Sequence, residues 1–392
     1  MTGRTIYCVL ALLLSCSLYA ADGTSYYIST VAGTPGVAGF HDGSAAEATL
    51  NRPTWLDVVT DSQSSRVHTG DVYVVDRVNQ AIRVLSGGKV SSYVVYDGLY
   101  SPAGQPIPIN FGGPLGGGIL IEPQDGGCGG AVYDRGMFVV LTGLNRIPLV
   151  SFDGVLANRD GQFVLSAEFQ TPTGVTRSRT YATSNVYDRR LYVADTGSHT
   201  IRRVLWSWSA EGCPQPAKYE TFAGGAGIAG FADGAGAAAR FNSPRGLATA
   251  PDGRILVADS ANHVIRRIDV DGTVTTIAGE PGVPGSNDGP ALQAHLNQPS
   301  GIDVNTSGEI FISDTGNHTI RKLTTDGMLA TIAGAPGVAG YADGLYGESR
   351  LSGPVGIRVT PDGSILVADT SNNVIRSLVL VPVSSHRHVV RP

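Results

Sequence analysis

Asp-Thr-Gly-Asn-His-Thr-Ile-Arg, residues 314–321, decides the fold because the chain repeats it. Asp-Ser-Ala-Asn-His-Val-Ile-Arg stands at 259–266 and Asp-Thr-Ser-Asn-Asn-Val-Ile-Arg at 369–376, so successive aspartates are 55 residues apart. Looser copies lie at 195–202 (Asp-Thr-Gly-Ser-His-Thr-Ile-Arg) and 76–83 (Asp-Arg-Val-Asn-Gln-Ala-Ile-Arg). A fixed period of this size, built from short strand-like segments, means a propeller or solenoid of small equivalent sheets.

Working outward, Pro299–Val304 reads as an inner strand, Glu309–Ser313 as a second, Thr319–Leu323 as a third and Met328–Ala333 as an outermost strand. Turn residues separate them, which gives a four-stranded antiparallel meander. Inner strands start near Pro53, Pro114, Pro172, Pro244, Pro299 and Pro354. The expected fold is therefore an all-β, six-bladed propeller of four-stranded blades. The second unit is degenerate, with Leu141 and Pro148 at the Asp and Arg positions. No outer-strand sequence follows Arg376, while a matching piece, residues 27–33, stands alone near the start. It is expected to pair with the last blade and so remove an exposed edge.

The Pro-x-Gly-Ile, Leu-Val-Ala-Asp and Asn-His-x-Ile-Arg elements together resemble NHL repeats over roughly residues 27–380. The resemblance implies a six-bladed propeller and no single activity, since NHL propellers include RNA-binding and protein-binding modules, extracellular domains and a few lyases.

The chain has 392 residues, 52 Gly, 22 Pro, 16% charged residues and a net charge of −5. That composition favours turns and short strands. It carries no basic footprint for nucleic acid. Residues 1–20 read as a signal peptide, with Arg4 ahead of an uncharged apolar core at 9–14. Residues 21–380 form the propeller and 381–392 a tail. A secreted chain with no stable membrane span after cleavage is expected, the alternative being a tether through an uncleaved signal anchor. Export leaves Cys128 and Cys213 as one candidate disulfide. It also makes the sequons at Asn305 and Asn317 candidate glycosylation sites.

Asp and Arg are seven apart in every good copy: Asp76/Arg83, Asp195/Arg202, Asp259/Arg266, Asp314/Arg321 and Asp369/Arg376. They are lost together at 141 and 148, the pattern of a structural ion pair, because one buried charge without its partner is costly. His199, His263 and His318 occupy one repeated position. Neighbouring blades hold such positions too far apart for three ligands of one metal, so no metal and no cofactor is expected. A second device, Asp42, Asp233, Asp288 and Asp343, each followed by Gly, stands eleven residues before an inner-strand proline. These arches are candidate ligand-binding loops on one face, each with one apolar anchor (Leu50, Phe241, Leu296 or Leu351).

No nucleophile elbow, zinc-protease, phosphate-loop or Cys-x-x-Cys pattern is present. Glu122 is a weak channel carboxylate, and Trp206 and Trp208 are weak stacking candidates. Asp57 and Asp303 are the acidic exceptions on otherwise apolar inner strands. The preferred reading is a non-catalytic binding scaffold, monomeric, for an unknown extracellular protein or glycan. The alternative is a lyase or lactonase-like hydrolase with a metal-dependent site in the central channel.

Overall fold

The structure is a computed structural model that describes residues 24–60, 68–93, 169–178, 190–208 and 214–382, together with short strands between Tyr96 and Leu165. The signal segment, Cys213, Glu122 and Leu141 lie outside the described residues, and so do the side chains of Cys128, Pro148, Trp206 and Trp208.

The repeated phrase generates a β-propeller. Each blade is named here by its arginine. In the Arg321 blade the inner strand Pro299–Val304 pairs with Ile310–Asp314, which pairs with Thr319–Leu323, which pairs with Met328–Ala333. All pairings are antiparallel. Inner strands pack side by side in the order Pro172–Arg177, Pro244–Thr249, Pro299–Val304, Pro354–Val359, Pro53–Val58.

The expectation of six four-stranded blades is overturned. Five blades are described with their side chains, and four of them carry five strands. The extra strand comes from the arch: Gly43–Ser44, Gly234–Ala235, Gly289–Pro290 and Gly344–Leu345 each pair with the outer strand of the blade that the arch leads into. A Gly-Pro dipeptide carries no strand signal, yet it covers a sheet edge that would otherwise offer unpaired backbone groups. Only the Arg202 blade keeps four strands among these five. Between it and the Arg83 blade lies a short four-stranded sheet of Ile119–Ile121, Gly136–Val139, Ile147–Ser151 and Val164–Leu165. Its inner strand sits at 119, not near 114.

Thr24–Ala32 runs antiparallel along Val374–Pro382, from Thr24 opposite Pro382 to Ala32 opposite Ile375. The beginning and end of the fold thus share one sheet. Asp343 secures that strand by accepting from the Thr30 backbone N–H at 3.3 Å, and Tyr341 Oη meets Thr30 Oγ1 at 2.7 Å.

The core lies between blades. Leu50, Phe241, Leu296 and Leu351 are fully buried, so each arch is pinned by its one apolar residue. Burying such a side chain stabilises by roughly 1.5–3 kcal/mol. Nearer the axis, blades meet backbone to backbone. A Cβ on Gly246 would lie 2.2 Å from the Ser300 carbonyl oxygen, one on Gly301 2.1 Å from Val355 O, and one on Gly356 2.4 Å from Thr54 O. This close approach is the reason for the Pro-x-Gly-Ile pattern.

Candidate functional site

The face built from the arches and the Asp-x-x-Asn-His turns is where the repeated polar residues converge. The second strand ends at the aspartate, a 3-10 turn follows, and the residue at the His position adopts left-handed φ (His199 57°, His263 61°, His318 59°, Asn373 60°). Histidine and asparagine tolerate that conformation better than most residues. The turn swings the side chain toward the next blade. His199 Nδ1 accepts the Ser243 backbone N–H at 3.0 Å, His263 Nδ1 that of Gln298 at 3.1 Å and His318 Nδ1 that of Gly353 at 3.0 Å. Asn373 Oδ1 completes the series on Arg52 N at 2.9 Å. Burial lowers the His263 pKa, consistent with a neutral ring accepting at Nδ1. The histidines are inter-blade latches, and no group of three or more His, Cys, Asp or Glu among the described residues could hold a metal ion.

The Asp–Arg pairs meet within their own blades. Arg83, Arg266, Arg321 and Arg376 each donate from Nη1 to Asp76, Asp259, Asp314 and Asp369, all at 2.9 Å, with both side chains fully buried. Asp195 Oδ1 accepts the Gln170 N–H, and the Arg202 charge lowers its pKa against the larger raising effect of burial.

The sequence reading missed the second partner. Nη2 of each of those four arginines bonds the arch aspartate: Arg83 to Asp42, Arg266 to Asp233 and Arg376 to Asp343 at 2.6 Å, and Arg321 to Asp288 at 2.8 Å. The four aspartates assigned to ligand binding are therefore committed to a buried guanidinium. They also hold the outer strand, as Asp42 does with Ser92 N at 2.9 Å and Asp233 with Thr276 N at 3.1 Å. Asp42 sits below its ordinary pKa: burial raises it, and the bonds from Ser92 and Arg83 outweigh that.

The Asn of the Asn-His pair ties the cluster to the arch. Asn317 Nδ2 donates to Asp314 Oδ2 at 2.7 Å and to Gly285 O at 2.6 Å. Asn79, Asn262 and Asn372 do the same toward Gly39, Gly230 and Gly340. That amide is buried, so a glycan on Asn317 is incompatible with the folded chain. Asn305 Nδ2 is half-buried and donates to Glu309 at 2.8 Å.

Burial is the largest influence on Asp259, Asp314 and Asp369 and pushes each up to about 6, against the opposing pull of the arginine and the amide donors. Phe40, Phe231 and Tyr341 lie over the Arg83, Arg266 and Arg376 guanidinium groups at 4.7–4.8 Å and close the clusters from above. Such stacking contributes on the order of 0.5–2 kcal/mol. The same arches expose Val37, Ile228, Val283 and Val338 to solvent.

Near the axis, at the opposite ends of the inner strands, Asp57 and Asp303 flank Arg358, whose Nε lies 2.7 Å from Asp57 and whose Nη1 lies 3.5 Å from Asp303. Burial would lower the Arg358 pKa, but the two carboxylates raise it.

The NHL repeat model matches residues 241–268, 296–323 and 351–376, each running from an arch anchor through the Asp-x-x-Asn-His turn to the end of the third strand or the arginine within it. This chain is an NHL-repeat β-propeller. The chain is 26% identical over 312 residues to the Protein SUPPRESSOR OF QUENCHING 1, chloroplastic, of Arabidopsis thaliana, covering 74% of this chain and 26% of that protein. It is 28% identical over 221 residues to human NHL repeat-containing protein 2, covering 49% of this chain and 28% of the other. The chain thus spans about a quarter of the length of these curated relatives. Among solved structures it is similar to a protein of unknown function from Bacteroides thetaiotaomicron (TM-score 0.61, 18% identity, 91% of this chain and 76% of that one). It is also similar to an auxiliary nutrient binding protein from Bacteroides ovatus (TM-score 0.59, 16% identity, 91% and 77%). Those likenesses show the fold.

Proposed function

We propose that this propeller is a non-catalytic recognition module, exported by residues 1–20, that engages a partner protein through its arch face. One observation carries the reading: branched aliphatic side chains, Val37, Ile228, Val283 and Val338, are solvent-exposed at equivalent arch positions, each on a loop held by a buried ion cluster or its asparagine tie. Apolar groups repeated on arches held in this way, with Phe40, Phe231 and Tyr341 exposed beside them, suit a protein interface. They offer a glycan few hydrogen-bonding groups, which favours a protein over a carbohydrate. The name of the Bacteroides ovatus neighbour suggests a small nutrient instead, but its identity is too low to transfer a ligand. The channel-enzyme alternative loses support because Asp57 and Asp303 already share Arg358.

The test is crosslinking capture from the native extracellular medium with wild type and with Val37→Ser/Ile228→Ser/Val338→Ser. The wild type is expected to retain a specific protein that the triple variant loses while remaining folded. Capture of nothing, or equal capture by both, contradicts the reading. Export predicts a secreted chain whose first residue follows Ala20, and an intracellular chain retaining Met1 would refute that part.

A further inference from the structure

The residue ahead of each of four inner-strand prolines is held in left-handed backbone: φ is 54° at Arg52, 52° at Ser243, 50° at Gln298 and 56° at Gly353. Only the glycine adopts it freely. For the other three it is doubly disfavoured, because a following proline pushes its predecessor toward extended backbone and a side chain adds strain. The N–H groups of these four residues are the ones captured by the turn of the preceding blade. His199 Nδ1 accepts from Ser243, His263 Nδ1 from Gln298, His318 Nδ1 from Gly353 and Asn373 Oδ1 from Arg52. Three of the four latches therefore fix a strained residue at the joint between two blades.

An imidazole nitrogen accepts only while it carries no proton, and a protonated ring has donors at both nitrogens. An amide oxygen keeps its lone pairs throughout the range in which histidine titrates. Three successive joints are thus closed by a titrating group and the fourth by one that does not titrate. The charged groups around the rings are themselves engaged. On each histidine's own blade stands the turn aspartate, Asp195, Asp259 or Asp314, under the pull of Arg202, Arg266 or Arg321. On the next blade Asp259, Asp314 or Asp369 accepts the N–H just before the latched one, from Asn242, Asn297 or Ser352, at 2.7–2.8 Å. On the arches, Glu280 meets His295 Nε2 at 2.9 Å, while Arg240 and Arg350 donate to backbone carbonyls of their own arches. Arg245 lies two residues beyond Ser243. Burial moves the His263 pKa down from 6.5. The unfolded chain therefore takes the proton first. The stability that this latch contributes is complete above 6.5 and is lost as pH falls below it toward the folded value.

We infer that the three histidines are acid-released clasps: on protonation each drops its backbone N–H, Ser243 and Gln298 leave their strained conformation, and the joints they close loosen, while the Asn373–Arg52 joint between the last blade and the first stays shut. The clasps use none of the exposed apolar arch residues and stand independently of the arch-face reading.

The experiment is amide hydrogen exchange of the full chain at about pH 7.5 and about pH 5, corrected for the intrinsic rate and read at Ser243, Gln298, Gly353 and Arg52. On acidification, protection of the first three should fall roughly tenfold or more relative to Arg52. His199→Asn/His263→Asn/His318→Asn places the amide found at Asn373 at every joint. It should keep its protection in acid and its melting temperature at neutral pH. Asp259, Asp314 and Asp369 are untouched in it, so their titration does not account for the difference. If the triple variant does not fold, His318→Asn alone, at the unstrained Gly353, should abolish the acid response there and leave the other two joints responsive. An equal fall at Arg52, unchanged protection of the wild type in acid, or an acid response that survives at an Asn-substituted joint overturns the inference.

Discussion

The seam between the Arg321 and Arg376 blades and the seam where the Arg83 blade meets the strand Ile119–Ile121 occupy equivalent places in the repeat, but they are built differently. At the first, Gly301 lets two backbones touch, Thr315 bonds a proline carbonyl and His318 bonds a backbone N–H. At the second, the corresponding residues are Trp55, Arg77 and Gln80. A tryptophan cannot occupy a position where even a Cβ would meet backbone at 2.1 Å. The repeated polar residues are thus connectors between and within blades, and the Arg83 blade has other residues at those positions.

Six substitutions, grouped into four tests, probe the difference between the two seams. The largest effect belongs to the cluster every regular blade shares. Arg321→Ala leaves Asp314 buried without its cation and should cost about 3–5 kcal/mol, read from chemical denaturation. A loss below about 1 kcal/mol would mean that the pair is incidental. Next is the seam itself. Gly301→Ala must displace the Val355 backbone and should cost roughly 1–3 kcal/mol or more, whereas Trp55→Ala should be tolerated far better than insertion of bulk at Gly301; equal costs would erase the difference between the two sides. Third are the latches. Asn373→Ala strands the Arg52 N–H and should cost about 1–2 kcal/mol, with Gln80→Ala near zero. A reversed order would place the working latch on the wrong side.

The smallest effect is a pH slope. Asp314 has a folded value of about 6 against an ordinary 3.8. The folded chain therefore binds the extra proton between those values. The stability this group contributes is complete below 3.8 and is lost as pH rises through about 6. Asp314→Asn should reduce the fall in denaturation midpoint across that window, and an unchanged slope would mean that Asp314 does not titrate there.

Much of this was legible in the sequence. The 55-residue period, the seven-residue Asp–Arg spacing and the buried anchors Leu50, Phe241, Leu296 and Leu351 follow from local pattern. What was hidden depends on chain return. Asp288 reaches Arg321 across 33 residues and three strands, and Asp42 reaches Arg83 across 41, so no single periodicity links them. The added strand Gly289–Pro290 has no alternating hydrophobicity to find. The Asn317 sequon looked available because sequence does not reveal that its amide is consumed by Asp314 and Gly285. Trp55, Arg77 and Gln80 were visible as departures from the repeat. Their meaning required knowing that all three positions face one neighbour.

Arch carboxylate, turn carboxylate and arginine form one unit of architecture. A double-mutant cycle on Asp288 and Arg321, followed by urea denaturation, tests it most directly. The two losses should be strongly non-additive, with a coupling of about 1–3 kcal/mol. Additive losses, with Asp288→Ala alone leaving stability untouched, would contradict it and return the arch aspartates to the surface for binding.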